Sequence, residues 1–412
     1  MRHLLIVVIL LSIAMTTKAQ FQIDGEYRPR FEFRDGYAQL KPDNSSPAYF
    51  VSQRTRLNLS HTYNNLYSRI SVQDYRVWGD SKLKSDDPGL SVFEAYFKLK
   101  LSDSWALTAG RQRLNFDNNR LFSQANWHQI SSSHDGLTVD FKKELFNFRM
   151  VTAFNQSATP KFGTNYTVDN YKFLNVIWLE KKFKYFSLAN LTITDSYQKK
   201  NSRNTDYYRF TIGLVAKYKR NSYDLQLRGF YQTGKNKMGT DVNAHFINAI
   251  ASYKFGSALN LTLGTEYMSG NDFTNHNGED NAFDILYGAR HWFNGIMDYF
   301  SIPKTTLGTG LIDGYLKLDF LKIESWKLSA HYHYLATSNT YVHNGKEQDN
   351  FLANELDLIG TWKINKVVGL QLGYAMLFAG ETLENMNGGS KSSGLQQFFY
   401  TAITVKPTFF KN

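Results

Sequence analysis

The stretch IDGEYRPRFEFR, residues 23–34, decides the fold. Its charged residues stand at every second position: Asp24, Glu26, Arg28, Arg30, Glu32 and Arg34. The positions between them carry no charge and are mostly apolar: Ile23, Gly25, Tyr27, Pro29, Phe31 and Phe33. Because successive side chains of a β-strand point to opposite faces, this alternation predicts a strand with one apolar and one charged face.

Comparable alternation recurs along the whole chain, with Phe93, Ala95 and Phe97 on one face against Glu94 and Lys98 on the other. Such runs predict 18 strands, at residues 22–35, 49–61, 66–79, 90–101, 105–116, 134–142, 145–155, 170–182, 185–196, 205–219, 222–234, 244–255, 259–269, 311–320, 325–336, 351–362, 366–377 and 396–405. An even number of antiparallel strands of about ten residues is typical of a transmembrane barrel, whose closure satisfies every backbone polar group that lipid cannot. We therefore predict an all-β fold, a single transmembrane antiparallel β-barrel of about 18 strands.

The connections alternate in length, which predicts tight turns at one end and longer outer loops at the other. The segments 142–144, 182–184 and 364–366 are typical of turns, whereas 37–48, 78–89, 115–133 and 378–394 are typical of outer loops. The longest gap, 270–310, exceeds an ordinary connection and either folds into the pore or forms an external loop. Its segment NHNGEDNAFD, 275–284, faintly resembles a calcium loop, but Phe273 occupies the first ligand position, which favours a solvated acidic loop.

The N-terminus predicts export. Arg2 and His3 precede the apolar run LLIVVILL and the small-residue site TTKA, so residues 1–19 are expected to be a cleaved signal peptide and residues 20–412 the barrel domain. The chain has no cysteine, which excludes disulfide and thiolate chemistry. Its 47 basic and 36 acidic side chains become a net charge of +9 once Arg2 and Lys18 are removed. This charge is spread over strands, so no nucleic-acid partner is expected.

The strongest functional signal is the density of charged residues on the polar faces of the first five strands. The candidates for the substrate path are Arg28, Arg30, Arg34, Arg54, Arg56, Arg76, Arg111 and Arg113, then Arg120, with Asp74, Glu94 and Lys98. A charge facing lipid costs roughly 2–4 kcal/mol near the midplane, so these side chains are expected in the lumen. They either pair with neighbouring acids to brace the wall or form a surplus positive track for carboxylated sugars, and the excess of arginines favours the second interpretation.

Histidines suggest two other sites, and neither is favoured. His331 and His333 share one strand face, but no third metal ligand is identifiable, so a polar lumen pair is preferred and no metal or cofactor is expected. His128 and His134, with Ser131 to Ser133 and Asp135, are adjacent only in sequence, so we do not expect an enzyme. In the second half, alternation also places Arg209, Lys217, Arg228, Lys254 and Lys317 on the lumen side.

Seven segments together resemble the alginate export family of outer-membrane barrels. They are EYRPRFEFRDGY (26–37), QRTRLNLS (53–60), SVQDYRVWGD (71–80), FEAYFKLKLSD (93–103), GRQRLNFDNNRLF (110–122), NWHQISSSHDGL (126–137) and NGIMDYF (294–300). The resemblance implies an 18-stranded barrel with an electropositive channel and, in the family's namesake, passive export of a uronate polymer. By position, it assigns the channel role to Arg28, Arg30, Arg54, Arg56, Arg76, Arg111 and Arg113.

The sequence therefore predicts an outer-membrane channel for the passive passage of anionic sugars or polysaccharide, such as alginate-like uronates. The alternatives are a general diffusion porin and a plugged, glycan-binding barrel. The expected partners are outer-membrane lipid, an anionic oligo- or polysaccharide and periplasmic transport proteins.

Overall fold

The structure is a computed structural model that describes residues 20–81, 89–156, 158–159, 161–162, 166, 170–199, 205–323, 325–387 and 395–412. The predicted signal peptide, residues 1–19, lies outside the described residues and stays a prediction. No helix in the described part of the chain is long and apolar enough to cross a bilayer.

Eighteen long antiparallel strands form the wall. They are β1 Gln20–Asp35, β2 Ala48–Tyr63, β3 Leu66–Val77, β4 Leu90–Lys100, β5 Trp105–Gln112, β6 His134–Lys143, β7 Phe146–Phe154, β8 Phe173–Lys182, β9 Phe186–Gln198, β10 Asp206–Arg220, β11 Tyr223–Lys235, β12 Asp241–Phe255, β13 Leu259–Met268, β14 Leu311–Ile323, β15 Trp326–Ala336, β16 Phe351–Lys363, β17 Val368–Ala379 and β18 Gln396–Val405. Each strand pairs with the next along the chain, and β18 pairs with β1, as in Arg30 opposite Ala402. The prediction of a closed 18-stranded barrel is confirmed.

Short turns lie at the end of the barrel that carries the N-terminus of β1, for example residues 64–65, 144–145 and 221–222. Long connections lie at the opposite end, and there the chain also forms the hairpin Val342–His343/Lys346–Glu347 and the short helix Glu381–Met386. A last short strand, Thr408–Lys411, pairs with the start of β1. The arrangement agrees with the predicted alternation of tight turns and outer loops.

Apolar side chains cover the outside of the wall. Ile212, Leu214 and Leu227 are 48%, 54% and 54% exposed, whereas the alternating Thr211, Val215 and Arg228 are buried. Aromatic pairs stand close to the short turns: Trp326 stacks on Trp362 with ring centroids 5.2 Å apart, and Trp105 lies 4.7 Å from Phe141. Such an apolar band with aromatic ends is the surface that a barrel presents to lipid.

Two long loops occupy the inside of the barrel, and we call them the 113–133 loop and the 269–310 loop. The inner faces of the strands beneath them are apolar, with Val151, Leu174, Val176, Leu191 and Ile193 all buried. One contiguous core joins these residues to the loop side chains Phe116, Phe122, Phe283 and Ile285. Because an 18-stranded barrel is too wide for wall side chains to fill, the loops supply the packing.

Two local expectations are wrong. Strand β5 ends at Gln112, so residues 113–116 belong to the inward loop rather than to the wall. That loop starts at the outer end, as predicted, and from there packs within the barrel. The second is Phe93, predicted to face outward: a register shift between Ser71 and Val72 marks a bulge in β4, and Phe93 is 3% exposed under the guanidinium of Arg56.

Candidate functional site

Arginines of β1 and β2 line the inner wall side by side. Arg28 pairs in register with Arg54, and Glu26 pairs with Arg56. The residues between them, such as Tyr27, face outward and are exposed. Since paired residues of antiparallel strands share a face, the register places Arg28, Arg30, Arg34, Arg54 and Arg56 in the lumen, as the sequence predicts.

Three carboxylates of this wall each lie between two cations, whereas Asp24 accepts a hydrogen bond from the side-chain amide of Asn58 at 2.7 Å. Glu32 contacts Arg30 at 2.7 Å and Arg34 at 2.6 Å. Glu94 likewise contacts Arg69 at 3.0 Å and Arg113 at 2.8 Å. Glu26 contacts Arg54 and, at 3.4 Å, Lys406. Because one carboxylate serves two cations, this wall keeps a surplus of positive charge.

The same arginines hold the 113–133 loop against the wall. Arg28 donates to the backbone oxygens of Asn126 and Trp127 at 2.7 and 3.2 Å. Arg30 donates to the Trp127 oxygen at 2.7 Å and stacks 3.9 Å from its ring centroid. Arg54 donates to the His128 oxygen at 3.2 Å. A neutral carbonyl satisfies a donor without cancelling its charge, so bracing and a positive lumen are compatible here.

Arg56 and Arg120 also connect the inward loops to the wall. Arg56 donates to Ser131 Oγ at 2.8 Å and to Gln73 at 2.8 Å. Arg120, 1% exposed, donates to Glu266 at 2.7 Å and to Asn294 Oδ1 at 2.6 Å. It therefore joins the first loop, the second loop and the β13 wall in one contact.

The remaining predicted lumen residues divide between the two faces. Lys98 and Glu94 point inward, and Lys98 Nζ lies 3.6 Å from Asp140. Asp74 and Arg76 pair with Thr55 and Gln53, on the opposite face from Arg54 and Arg56, and bond to each other at 2.7 Å. The prediction that Asp74 and Arg76 line the lumen is therefore wrong, because the register of β3 turns even-numbered residues outward.

Arg111 also differs from its predicted orientation toward the lumen. By register it lies on the outward face of β5, opposite Asp135, and bonds to that carboxylate at 2.7 Å. Its side chain nevertheless reaches the edge of the cavity described below. Of the charges predicted in the second half, Arg209 pairs with Asp195 at 2.8 Å, and Arg228 pairs with Asp117. These two lie inside the barrel, as predicted.

The 269–310 loop contacts the inner wall at several points. Asp284 accepts from Arg209 at 2.8 Å, and its backbone oxygen accepts from Gln232 at 2.8 Å. Farther along, the Met297 amide donates to Glu355 at 2.8 Å. The loop therefore lies inside the barrel, which decides between the two alternatives that the sequence left open.

The two inward loops meet at an aromatic contact. Trp127 stacks on His291 with centroids 3.6 Å apart and planes inclined by 6°. His291 Nδ1 lies 2.8 Å from Asp298, which also accepts a hydrogen bond from Tyr37. Burial alone would raise the pKa of Asp298, but the charge and hydrogen bond of His291 and the bond from Tyr37 hold it below its ordinary value.

A cavity of about 950 Å³ opens between the loops. Its lining combines cationic, aromatic and amide or hydroxyl side chains, including Arg28, Arg290, Trp292, Asn126 and Ser132, and these lining residues, all in the described part of the chain, include no aspartate or glutamate. Arg290 Nε is buried and has no hydrogen-bond partner in the part of the chain that the structure describes. The cavity can therefore offer charge and hydrogen-bond donors to an anion.

Sequence reasoning missed Arg290, His291 and Trp292 because they lie in the long gap, where no alternation assigns a direction to a side chain. The cluster RHW at 290–292 was the available signal. Burial lowers the pKa of the neighbouring His128 below its ordinary value. The guanidinium groups that line the cavity are those of Arg28, Arg111 and Arg290.

The residues of the rejected hydrolase hypothesis do not converge. His134 Nδ1 lies 2.8 Å from the Tyr171 hydroxyl, whereas Asp135, the next residue on the strand, faces outward against Arg111. Ser131 Oγ accepts hydrogen bonds from Arg54 and Arg56. A nucleophile, base and acid in mutual contact are therefore not formed by these residues.

The two segments considered as metal sites differ. In the segment 275–284, the carboxylates accept hydrogen bonds from side-chain amides: Glu279 from Asn243 at 2.9 Å and Asp280 from Asn236 at 2.8 Å. For the strand histidines, the structure supplies the third ligand that the sequence did not identify: Asp357 lies with His331 and His333 in a group whose ligand atoms are within 4.8 Å of one another. It was missed because it lies on the next strand, β16.

A closed barrel with an apolar outside, a charged inside and inward loops defines an outer-membrane channel of the porin class. The family model described as alginate export matches residues 19–394, so this chain belongs to the alginate export family. No curated protein matches the sequence significantly.

Solved structures of outer-membrane proteins share the fold. OpdK of Pseudomonas aeruginosa, solved with vanillate, aligns with a TM-score of 0.63 at 11% identity, over 95% of this chain and 99% of that one. OpdL of Pseudomonas aeruginosa gives a TM-score of 0.63 at 14% identity, over 95% and 99%. OccK9 (OpdG) of the same organism gives 0.64 at 13%, over 94% and 98%. At these identities the likeness concerns the fold alone.

Proposed function

We propose that this outer-membrane channel passes anionic sugars, such as short uronate oligosaccharides, through a lumen whose selectivity depends on arginine. The observation that carries the proposal is the cavity of about 950 Å³ between the two inward loops, lined by Arg28, Arg290 and several neutral polar groups but by no carboxylate in the part of the chain that the structure describes. A path of this composition favours carboxylate-bearing solutes over cations.

The neighbouring wall supports the same selectivity. The side-chain bonds of Arg28 and Arg56 go to neutral groups, and the carboxylates Glu26, Glu32 and Glu94 are each shared by two cations. Guanidinium forks match carboxylate geometry, whereas amides and hydroxyls, such as those of Asn126 and Ser132, match sugar hydroxyls. Membership of the alginate export family and the vanillate in the OpdK structure are consistent with an anionic cargo.

The test is single-channel recording in planar bilayers under a potassium chloride gradient. We expect a reversal potential of the sign for anion preference, and current block by an oligogalacturonate at concentrations where a neutral maltooligosaccharide of equal length has no effect. The double variant Arg28→Gln/Arg290→Gln should lose most of both effects. The matched control Arg76→Gln/Arg220→Gln removes two arginines whose strand positions face outward and should retain them.

The outcomes are distinguishable. A wild-type pore without anion preference, or a cavity variant that keeps both the preference and the uronate block, would contradict the proposal and favour a general diffusion porin. Because two loops pack inside the barrel, the plugged alternative also has a specific basis. Tight uronate binding combined with no conductance would favour that alternative.

A further inference from the structure

Three side chains of β15 and β16 form a compact group under the 269–310 loop. His331 pairs in register with Asp357, and His333 follows two residues later on the same inward face. His331 is 9% exposed, and His333 and Asp357 are 0% exposed. One ligand atom from each residue can be chosen so that all lie within 4.8 Å of one another.

Several polar atoms of this group have no hydrogen-bond partner among the described residues, although they are buried. They are His331 Nδ1, His333 Nε2 and both carboxylate oxygens of Asp357. Oε2 of Glu355, the neighbour of Asp357 on the same face, is in the same condition. Buried polar atoms are nearly always satisfied, so five such atoms converging in one group indicate a binding partner.

A second carboxylate already orients one of the histidines. His333 Nδ1 lies 3.0 Å from both carboxylate oxygens of Asp313, on β14. When Nδ1–H donates there, Nε2 carries the lone pair, and it faces Asp357 Oδ2 at 4.0 Å. Metal-binding histidines almost always donate their other ring nitrogen to a carboxylate or carbonyl in this way.

The charges around the group favour a cation. Asp313, Glu355 and Asp357 are all 0% exposed, and Glu266 is 1% exposed on the adjoining strand. Facing them are Arg120, bonded to Glu266, and Lys317, whose Nζ donates to the Trp292 backbone oxygen at 3.1 Å. Buried carboxylates outnumber the nearby fixed cations, and uncompensated buried charge is costly.

We propose that His331, His333 and Asp357 bind one divalent transition-metal ion of the Zn²⁺ type. Two imidazole nitrogens and one carboxylate oxygen are a ligand set that zinc uses, with Glu355 or water completing a tetrahedron. Metal–ligand bonds of about 2.0–2.1 Å place ligand atoms roughly 3.3 Å apart, so the side chains must close by about 1–1.5 Å from their widest separation.

The metal would fix the wall on which the 269–310 loop rests. Glu355 accepts from the Met297 amide at 2.8 Å, and Asp313 accepts from Asn294 at 3.0 Å. A metal bound to Asp357, the neighbour of Glu355, and to His333, which contacts Asp313, would therefore stabilise these contacts of the loop. The competing arrangements are a proton shared by Glu355 and Asp357, or a doubly protonated His333 between Asp313 and Asp357. Neither of these binds metal.

The test uses the full-length protein in detergent, washed with a chelator and titrated with Zn²⁺ by calorimetry at neutral pH. We expect one site whose affinity falls at least tenfold in His333→Gln and in Asp357→Asn. A further variant tests the residue that orients His333: Asp313→Asn should weaken binding by about 10–100-fold without removing a ligand. The matched control is His245→Gln, an exposed histidine on the outward face of β12, which should bind like the wild type.

Cobalt gives a readout that needs no variant. Co²⁺ added to the wild type should produce the visible absorption of a four-coordinate site, and Zn²⁺ should abolish it. Heat-modifiable gel migration identifies any variant that fails to fold. The proposal is overturned if the wild type shows no saturable site, if the cobalt spectrum remains that of the hydrated ion, or if folded His333→Gln binds Zn²⁺ as the wild type does. None of these readouts depends on transport, so failure here leaves the proposed function intact.

Discussion

A guanidinium without access to solvent links both inward loops to the wall. Arg120 and Glu266 are each 1% exposed and bond at 2.7 Å. Such a pair contributes little over an apolar pair, but removing one partner leaves the other charge buried and costs about 3–5 kcal/mol. We expect Arg120→Met to lower the free energy of unfolding by an amount of this order, seen as a lower urea midpoint for loss of the folded gel band.

Two further variants test the physical reason. Arg120→Met/Glu266→Met removes both charges and should recover part of the lost stability. Arg76→Met breaks an exposed pair and should leave the midpoint nearly unchanged. Equal midpoints for the single and double Arg120 variants would show that the side-chain packing of Arg120, rather than its charge, holds the loops.

The contact of Asp298 with His291 and Tyr37 gives a pH dependence. The pKa of Asp298 is held below its ordinary value of 3.8, so the unfolded state binds the proton first as pH falls. Its contribution to stability is therefore complete above about pH 4 and is lost as pH falls through the lower, folded pKa. The tryptophan fluorescence of Trp127 and Trp292 should stay constant from pH 7 to about pH 5 and change only in stronger acid.

Asp298→Asn serves as the control for that titration. It removes the titrating group, so the acid-dependent part of the fluorescence change should shrink. A transition of the wild type centred near pH 6 would mean that a different group governs the contact between the loops.

At the scale of elements, alternation determined the strands because it is a local property. Strand β1 was predicted within two residues at its start, and its charged face is inward. The bulge at Phe93 broke the same rule, since one extra residue inverts the faces from that point on. The outward turn of Asp74 and Arg76 was missed because their parity was assigned without the register of β2 and β3.

The paths of the two loops were less accessible from the sequence. The hydrogen bonds that hold them join residues far apart in the chain, such as Arg28 with Asn126 and Arg120 with Asn294. No short-range sequence pattern encodes such contacts. One signal was present: strands β7 to β9 have apolar residues on both faces, including the inward Val151 and Leu191. A water-filled lumen would not require an apolar inner face, so that pattern indicates that something packs against it.

The 269–310 loop can be removed without straining its ends. The Asn271 amide donates to the Gly308 oxygen at 2.7 Å, so an Asn-Gly turn replacing residues 272–307 can close the gap. We expect single-channel conductance to rise roughly twofold or more, because the loop occupies the lumen. The cation share of the current should rise as well, because Asp313, Glu355 and Asp357 become exposed to the lumen.

A deletion elsewhere on the same end controls for general damage. Removing the six hairpin residues 342–347 shortens an outer connection and should leave conductance unchanged. Unchanged conductance in the 272–307 replacement itself would mean that the narrowest part of the path lies at the 113–133 loop.

At the scale of the whole molecule, the two sides of the lumen differ in charge. Strands β1 and β2 carry inward arginines, whereas β13, β14 and β16 carry the buried carboxylates Glu266, Asp313, Glu355 and Asp357. The 269–310 loop covers the acidic side through the amide of Met297 and the side chain of Asn294. The loop thus separates these acids from the cavity and leaves the arginine side facing it, an arrangement in which one barrel that holds both charges has the anion preference proposed above.

Changing Arg30, Arg54, Arg56 and Arg113 together to Gln tests the role of the arginine side of the lumen. Arg30 and Arg54 are 5% and 0% exposed, so their loss would be severe if it left a carboxylate buried alone. It does not, because Glu32 keeps Arg34, Glu26 keeps Lys406 and Glu94 keeps Arg69. We therefore expect the barrel to remain closed by heat-modifiable migration while anion selectivity falls.

Ionic strength distinguishes a field effect from a loss of shape. Fixed lumen charges act over a Debye length of about 8 Å at physiological salt and about 3 Å at 1 M, so raising salt should lower the wild-type selectivity toward that of the quadruple variant. The variant itself should respond less to salt than the wild type, because only the arginines that line the cavity, such as Arg28 and Arg290, still contribute. Arg76→Gln/Arg220→Gln, with charges on the outward face, should keep both the selectivity and its salt dependence. If the quadruple variant fails to fold, the arginines brace the wall. If it folds and keeps its selectivity, the field that selects the solute arises elsewhere in the lumen.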